Sequence, residues 1–264
     1  MDYPVFLISL ASDELRRQSL KERFASYDKF NLINAVDGRS MLAKEYFSLA
    51  RSSLQKHGKL LSPGEVGCTL SHMKAYEEFL KSGAKLGLII EDDVMGDDEC
   101  VKLAFKMAGK MPEDAILHCG CQDWFEGRFS LFAKKILASD KILLQDKDTS
   151  LFCIPDYSRK AIWSTAAYVV TRQSAESLLN TQKHTLCVSD HWDFLLGEND
   201  LKMYFCDIFS HPQIGTTDSN IESERSVSAY KPSLKARIDS LKFLFYSRFD
   251  YYLRGYERVF KAKA

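Results

Sequence analysis

Short apolar runs alternate with amphipathic stretches along most of this chain. The runs at 5–10, 30–36 and 86–90 predict strands. The last of them has the continuous apolar pattern of a strand that is buried on both faces of a parallel sheet. Residues 13–27 and 69–81 carry apolar side chains at helical spacing and predict helices. A repeated strand-then-helix order favours an α/β fold built from βα units.

The middle of the chain continues this alternation. Further predicted elements are a helix over 101–111, a strand over 115–119, a strand over 163–171 and a helix over 173–180. Ser12 is placed to cap the first helix, and Ser82 with Gly83 to end the helix over 69–81. Residues 125–157 are irregular and predict loops or a hairpin. Such segments commonly carry recognition on a rigid scaffold.

After Arg225 the sequence changes in charge. From Lys231 to Ala264 there are nine Lys and Arg against three Asp and Glu, mixed with Leu, Ile, Phe and Tyr at helical spacing. A basic amphipathic helix with aromatic residues is typical of a membrane-surface element, and the alternative is a terminal helix that packs on the domain with solvated charges. We therefore predict a domain over 1–225 and a basic amphipathic helical tail over 226–264.

Composition narrows the class of protein. Across 264 residues, 45% are hydrophobic and 27% are charged, as in globular proteins. Lys with Arg and Asp with Glu both total 36, so no net positive field favours nucleic acid as a partner. We expect no secretory signal, because the first residues lack a basic and a long apolar region. No window reaches the roughly 18 apolar residues of a membrane span.

The seven cysteines are scattered through apolar segments. That distribution favours reduced thiols in a cytoplasmic protein over a disulfide framework. Cys119 and Cys121 have the spacing of half a metal site, but no second Cys or His pair lies at the spacing of a zinc finger.

Three consecutive carboxylates, Glu91, Asp92 and Asp93, follow the predicted strand at 86–90. Ligands of open α/β sheets bind outside the carboxyl ends of strands. Mg²⁺ and Mn²⁺ take carboxylate and phosphate oxygens as ligands, so the motif suits a complex of a metal with a diphosphate. The alternative is a solvated turn with acids near a helix N-terminus.

The segment before the acidic strand reads SPGEVGCTLSHMKAY over 62–76. Gly64 and Gly67 allow close approach of the backbone to a ligand or tight packing of two elements. Ser71 and His72 follow as candidate polar contacts, although a lone histidine is also common as a hydrogen-bonded core residue.

Several segments together resemble glycosyltransferase family 25, the bacterial lipooligosaccharide and lipopolysaccharide glycosyltransferases. The segments are VFLISL with the following Arg16-Arg17, AVDGR at 35–39, SPGEVGCTLSH at 62–72, LIIEDDV at 88–94, STAAYVVTRQSAESLL at 164–179, VSDHWDFLL at 188–196 and HPQIGTTDSNI at 211–221. They cover most of residues 5–221 in the family's order. The chain departs from the family at Ser164-Thr165, where the family often has a glycine before the threonine.

The resemblance implies a GT-A-like nucleotide-sugar-binding fold, a Rossmann-like mixed sheet flanked by helices. It also implies transfer of a hexose, most often galactose, from a UDP-sugar to the hydroxyl of a lipid-linked oligosaccharide, with inversion. A divalent cation, Mn²⁺ or Mg²⁺, would be held by Asp93, Glu91 and His211. Residues expected near the donor are Ser9, Leu10, Arg16, Asp37, Gly38, Ser71, His72, Glu91, Asp92, Tyr168, Ser219 and Asn220.

Inversion requires a base that takes the proton of the acceptor hydroxyl. By the same resemblance the base is Asp190, and Asp193 competes with it one helical turn away. Tyr168 and Trp192 could stack on sugar rings, but aromatic residues at this spacing are also typical of a core. We expect a cytoplasmic protein that is peripheral on the inner face of the membrane.

Two other functions remain open from the sequence. Metal-dependent phosphoryl-transfer enzymes and phosphodiesterases also gather carboxylates at strand ends, although no phosphate-binding G-x-x-x-x-G-K-[ST] loop is present. A protein with this fold could also bind a nucleotide or carbohydrate without catalysing a reaction.

Overall fold

The computed structural model describes residues 3–122, 131–138, 149–210 and 234–260. The strands are β1 (Val5–Ser9), β2 (Asn31–Asn34), β3 (Leu86–Glu91), β4 (Ala115–Gly120), β5 (Phe132–Leu137), β6 (Leu151–Ile154), β7 (Ala167–Thr171), β8 (Lys202–Phe209) and β9 (Glu257–Arg258). The helices are α1 (Glu14–Arg23), α2 (Ala43–His57), α3 (Pro63–Ser82), α4 (Asp98–Ala108), α5 (Arg172–His184), α6 (Trp192–Gly197) and α7 (Leu234–Leu253). A 3₁₀ helix over Asp156–Ala161 precedes β7.

The strands form one mixed sheet in the order β2-β1-β3-β7-β4-β8-β6-β5-β9. β1 is parallel to both β2 and β3, and β4 is parallel to β8. β7 lies antiparallel between β3 and β4, and β6 and β5 continue the sheet in antiparallel register. The predicted α/β fold, a mixed sheet flanked by helices, is confirmed.

Both faces of the central strands are buried, which explains their continuous apolar sequences. Phe6 and Ile89 point into the core under α3, α5 and α6, which contains Tyr76, Leu178 and Trp192. The alternate positions Leu7, Leu88 and Ile90 point into the opposite core, which contains Leu20 of α1 and Met107 of α4. The side-chain period of two therefore divides each strand between two helical layers.

Local sequence signals set the ends of several helices. Ser62 caps α3 in a capping box with Glu65, whose own carboxylate is buried and pairs with Lys59 at 2.8 Å. Thr171 caps α5 in the same manner, and Asp97 accepts two backbone N–H groups at the start of α4. Gly83 ends α3 in the left-handed conformation that favours glycine.

Some boundaries differ from the sequence predictions. The N-cap of α1 is Asp13, because Ser12 donates to the Asp13 carboxylate instead of capping the helix. α3 begins at Pro63, so the segment with Gly64 and Gly67 is helical from its start. β5 and β6 are the hairpin within the irregular segment 125–157. α2 and β8 were not predicted.

The C-terminal segment contacts the sheet at two points. β9 pairs with β5, and Phe260 packs against Phe205 with ring centroids 5.1 Å apart. On α7, the buried Asp250 accepts a hydrogen bond from Tyr157 at 2.5 Å and pairs with Arg254 at 3.3 Å. The described helices include none that is long and apolar enough to cross a membrane. The division into two domains stays a prediction.

Candidate active site

A cleft opens at one edge of the sheet, where the parallel strands β1, β2 and β3 all end. The cavity within it has a volume of about 130 Å³. The residues that follow the three strands line it: Ser9, Leu10, Ala35, Val36, Asp37, Gly38, Glu91, Asp92 and Asp93. Arg16 of α1 and Cys68, Ser71 and His72 of α3 complete the wall. The carboxyl ends of the strands thus bring together segments that are far apart in sequence.

Two glycines hold one wall of the cleft together. A Cβ on Gly38 would lie 1.8 Å from the carbonyl oxygen of Pro63, and a Cβ on Gly67 would lie 2.4 Å from that of Val36. Ser71 is buried and fixes the same contact, because it accepts from the Val36 N–H at 2.8 Å and donates to the Gly67 carbonyl at 2.7 Å. The absence of a side chain at Gly67 therefore allows α3 to pack closely against the loop after β2.

Arg16 lies against the acidic motif. Its guanidinium is 3.1 Å from an oxygen of Asp92 and 3.6 Å from one of Asp93. Burial raises the pKa of Asp92, and the hydrogen bonds from Ser9 and Arg16 oppose that rise. Burial alone would lower the pKa of Arg16, but the hydrogen bond and charge of Asp92, with Asp93, raise it. The guanidinium of Arg16 therefore faces two of the three carboxylates, Asp92 and Asp93.

Arg17 and Arg39 order the loops on either side of the cleft. Arg17 donates to the Ser9 hydroxyl at 2.9 Å and to the carbonyl of Leu10. Arg39 donates through its Nε to Asp37 at 2.8 Å, and this hydrogen bond lowers the pKa of the Asp37 carboxyl.

Glu91 points away from Arg16, toward α3 and the segment before β7. Its Oε1 accepts from the Thr165 hydroxyl at 2.6 Å and lies 3.3 Å from Nε2 of His72. His72 is buried, and its Nδ1 lies 2.8 Å from the hydroxyl of Tyr168. Tyr168 in turn donates to Tyr76 at 2.9 Å. The acidic motif therefore divides, with Glu91 in one hydrogen-bond network and Asp92 in another.

Asp190 is linked to the cleft through two consecutive residues. Its carboxylate accepts the backbone N–H of Ser164 at 3.3 Å, and the next residue, Thr165, donates to Glu91. Ser164 has a φ of 76°, in the left-handed region. Its carbonyl accepts from Nε1 of Trp192 at 3.2 Å and from Nε2 of His118 at 3.0 Å. Burial lowers the pKa of His118 to about 4, so the ring is neutral near pH 7.

The remaining candidates fall in different places. Tyr168 and Trp192 are fully buried in the core beneath the cleft, with no surface for a sugar ring. Asp193 lies in the first turn of α6 with an exposed side chain. His211, Ser219 and Asn220 lie outside the described residues.

Sequence reasoning missed Cys68, Thr165 and Ser189, whose hydroxyl lies 3.2 Å from the Cys68 sulfur. Cys68 precedes His72 by one helical turn, and that spacing is the signal that could have identified it. Among the described residues, the metal-ligating atoms that converge are those of Cys68, His72 and Glu91, within 4.8 Å of one another. Cys119 and Cys121 are buried and do not belong to that group, and burial raises the pKa of Cys119 well above its ordinary value.

The fold and the cleft define the class: an α/β protein with an acidic cleft at the carboxyl ends of its parallel strands. The chain belongs to glycosyltransferase family 25, because the sequence profile of that family, described as "Glycosyltransferase family 25 (LPS biosynthesis protein)", matches residues 2–192. The resemblance found in the sequence is thereby confirmed.

Curated relatives include enzymes and proteins named as inactive. Procollagen galactosyltransferase 1 of Danio rerio is 35% identical over 100 residues, 34% of this chain and 16% of that protein. Procollagen galactosyltransferase 1-A of Xenopus laevis is 25% identical over 67% of this chain and 28% of that protein. A Rattus norvegicus protein named probable inactive glycosyltransferase 25 family member 3 is 34% identical over 36% of this chain and 18% of that protein. The chain therefore matches less than a third of these relatives' length.

Two solved structures align over most of the chain at low similarity. Mannose-1-phosphate geranyltransferase from Thermus thermophilus covers 87% of this chain and 80% of its own, with a TM-score of 0.39 and 13% identity. The inositol-1-phosphate CTP transferase from T. maritima covers 84% and 94%, with a TM-score of 0.39 and 12% identity.

Proposed function

We propose that this protein is a metal-dependent glycosyltransferase that moves a hexose, galactose, from a UDP-sugar to a hydroxyl of a lipooligosaccharide or lipopolysaccharide acceptor. The observation that carries the proposal is the cleft itself, in which three carboxylates and Arg16 meet at the ends of three parallel strands. Family membership and relatives named galactosyltransferases support the same reaction class.

The donor atoms fit a hard divalent cation. Glu91, Asp92 and Asp93 offer carboxylate oxygens to one cleft, the ligand type that Mg²⁺ and Mn²⁺ prefer. Asp93 would hold the cation first, because Asp92 is buried against Arg16 and Glu91 is engaged by Thr165. A bound cation would neutralise charge on the departing diphosphate. His211 stays a predicted further ligand.

The other walls of the cleft suit the nucleotide. Arg16 is the cationic side chain nearest the acidic motif and is placed to contact a diphosphate. Ser9, Leu10, Asp37 and Gly38 also line the cleft and would contact the ribose and base. Galactose and glucose differ only in the orientation of one hydroxyl. The choice of galactose as the donor sugar therefore rests on the names of the relatives.

Asp190 is the proposed base for the acceptor hydroxyl. Two hydrogen bonds, at Ser164 and at Thr165, link it to Glu91, whereas Asp193 is exposed on α6, and this difference supports the choice of Asp190. In an inverting displacement the carboxylate of Asp190 takes the hydroxyl proton as the oxygen attacks the anomeric carbon and the bond to UDP breaks.

The lipid-linked acceptor implies contact with the inner face of the cytoplasmic membrane. α7 exposes the apolar side chains of Leu241, Leu244, Phe245, Phe249, Tyr252 and Leu253. Lys242 and Arg248 lie among them, so the helix offers an anionic bilayer both apolar and basic side chains.

Substitution of three aspartates tests the catalytic proposal. Thermal unfolding would be followed with UDP, UDP-galactose, UDP-glucose and GDP-mannose, with and without Mn²⁺, and sugar transfer to purified lipooligosaccharide would be measured in parallel. At about one hundred times its dissociation constant a ligand adds about 2.7 kcal/mol to the free energy of unfolding. We expect D93N to lose both the Mn²⁺-dependent shift with UDP-galactose and transfer, D190N to lose transfer alone, and D193N to keep both.

The alternatives predict other patterns. Loss of transfer in D193N but not in D190N would reverse the assignment of the base. Release of inorganic phosphate without sugar transfer would indicate a phosphoryl-transfer enzyme. A nucleotide-dependent shift without turnover of any donor would indicate a non-catalytic binding protein, as the names of some relatives suggest for those proteins.

Membrane contact is tested separately by flotation with liposomes that contain anionic lipid. F245S/F249S should float less than the wild type, because two exposed apolar side chains of α7 no longer enter the interface. The matched control is L15S/L42S, which removes exposed apolar side chains elsewhere on the surface. Equal flotation of all three proteins would contradict the proposal. These substitutions leave intact the packing of Phe260 that a truncation at residue 225 would remove.

A further inference from the structure

A second group of metal-ligating side chains lies at the back of the cleft, apart from Asp93. Cys68 and His72 lie one turn apart on α3, and Glu91 ends β3 beside them. Their sulfur, nitrogen and oxygen donor atoms all lie within 4.8 Å of one another, and all three residues line the cleft. One thiol, one imidazole and one carboxylate form a donor set unlike the all-oxygen set of a magnesium site.

The hydrogen bonds of His72 favour a cation at this position. Because Tyr168 donates its proton to Tyr76, Nδ1 of His72 carries the hydrogen that is donated to Tyr168. With that hydrogen on Nδ1 alone, Nε2 presents a lone pair to Glu91, whose oxygen lies 3.3 Å away. Two acceptors that face each other repel unless a proton or a metal ion lies between them.

Each of the three metal-ligating side chains also contacts a second polar group that fixes its orientation. The Cys68 sulfur lies 3.2 Å from the Ser189 hydroxyl, and Glu91 accepts from Thr165 at 2.6 Å. Ser189 and Thr165 lie 3.3 Å apart and join these two supports. Outer hydrogen bonds of this kind orient the ligands in protein metal sites, and the Nδ1 hydrogen bond of a ligating histidine is a regular part of them.

We infer that Cys68, His72 and Glu91 form a binding site for a thiophilic divalent cation of the zinc class. Three protein ligands would leave the fourth position of a tetrahedral ion open to water or to a ligand. The site uses sulfur and nitrogen donors that Mn²⁺ and Mg²⁺ do not prefer. It does not depend on the proposed transferase activity and shares with the predicted metal set only Glu91.

Cobalt substitution gives a direct test on the full-length chain. Co²⁺ bound through a thiolate has a near-ultraviolet charge-transfer band that carboxylate and imidazole ligands do not produce. We expect the wild type and C153S to show the band with equal intensity and C68S to lack it. Cys153 is the matched control, because it is also a half-buried thiol but lies on β6. No band in the wild type, or an equal band in C68S, would overturn the proposal.

Two further measurements remain decisive if C68S folds poorly. In the wild type, Zn²⁺ at about ten times its dissociation constant should slow the alkylation of Cys68 about tenfold and leave that of Cys153 unchanged. T165V should weaken Zn²⁺ binding by about 10–100-fold, because Glu91 loses the hydrogen bond that orients it. Equal alkylation rates of Cys68 with and without Zn²⁺ would refute the site.

Discussion

Gly67 offers a sharp test of how the cleft is assembled. In G67A the new Cβ would lie 2.4 Å from the carbonyl oxygen of Val36 and 2.6 Å from the N–H nitrogen of Gly38, and both are backbone atoms. Ordinary contact begins at 3.4 Å, so the loop after β2 must move by about 1.0 Å, the difference between 3.4 and 2.4 Å. That movement would stretch the 2.8 Å hydrogen bond from Val36 to Ser71 beyond bonding distance.

The free energy of unfolding follows from three contributions. Overpacking of this kind costs about 1–3 kcal/mol, and the lost hydrogen bond costs about 1 kcal/mol more. Alanine in place of glycine within a helix stabilises the folded state by about 1 kcal/mol. We therefore expect G67A to be less stable than the wild type by about 1–3 kcal/mol.

Gly197 is the matched control. It also lies in a helix, but a Cβ on it would meet nothing within 4 Å. G197A should match the wild type or exceed it by up to about 1 kcal/mol, since only the helix preference changes. Urea denaturation at constant m-value measures both variants. If G67A proved as stable as G197A, the close contact between α3 and the loop would be refuted.

Three other substitutions test separate features. Burial raises the pKa of Asp92 above its ordinary value of 3.8, so the folded wild type holds a proton that the unfolded chain releases and loses stability as pH rises above 3.8. D92N has no carboxyl group to titrate there and should gain stability relative to the wild type as pH rises. Urea denaturation at several pH values measures this, and parallel pH profiles would contradict it. S164G should stay within about 1 kcal/mol of the wild type, because relief of the φ of 76° offsets the greater freedom of the unfolded chain, as in the exposed control D200G at φ 51°. A loss above about 2 kcal/mol in thermal unfolding of S164G alone would show that the serine side chain matters more than its backbone. Y157F should cost about 1.5–3 kcal/mol, since the buried Asp250 loses the donor at 2.5 Å, and an unchanged unfolding midpoint would contradict that hydrogen bond.

The strands of the central sheet could be predicted because their sequence reflects burial on both faces. β1 and β3 are continuous apolar runs, and each alternate side chain enters a different core. α2 gave no comparable signal, because Phe47 and Leu54 are exposed while Ala50 and Ser53 face inward. Apolar residues therefore occur on both faces of α2, since Tyr46 and Leu49 pack against the core that contains Ala50.

The first turn of α3 shows how tertiary packing can override local preference. Gly64 and Gly67 disfavour a helix, and the sequence left two roles open for them, close approach of the backbone to a ligand or tight packing of two elements. The capping box of Ser62 and Glu65 was present in the sequence and indicates a helix start. Gly67 is required there because Gly38 packs on it, and that contact joins two segments whose meeting no local pattern reveals.

The candidate site could be predicted in its parts but not in its arrangement. The acidic motif and the family resemblance selected Arg16, Glu91, Asp92 and Asp93, which line the cleft, and the resemblance selected Asp190, which is not among its lining residues. Which carboxylate faces which partner depends on the sheet: β1 and β3 are neighbours, so α1, which follows β1, brings Arg16 to Asp92. The network around Glu91 depends likewise on β7, which lies next to β3 in antiparallel register.

Arg16 explains why three adjacent carboxylates are tolerated and also limits how the proposed metal can bind. Two unit charges of the same sign 4 Å apart repel by about 4 kcal/mol at an effective dielectric constant of 20, and a divalent ion doubles that value. Arg16 lies 3.6 Å from Asp93, so an ion held by Asp93 would lie close to the guanidinium. A diphosphate that enters with the ion would give Arg16 a new partner of opposite charge and remove this penalty. In the proposed enzyme the metal and the nucleotide therefore bind together, and the metal alone binds weakly.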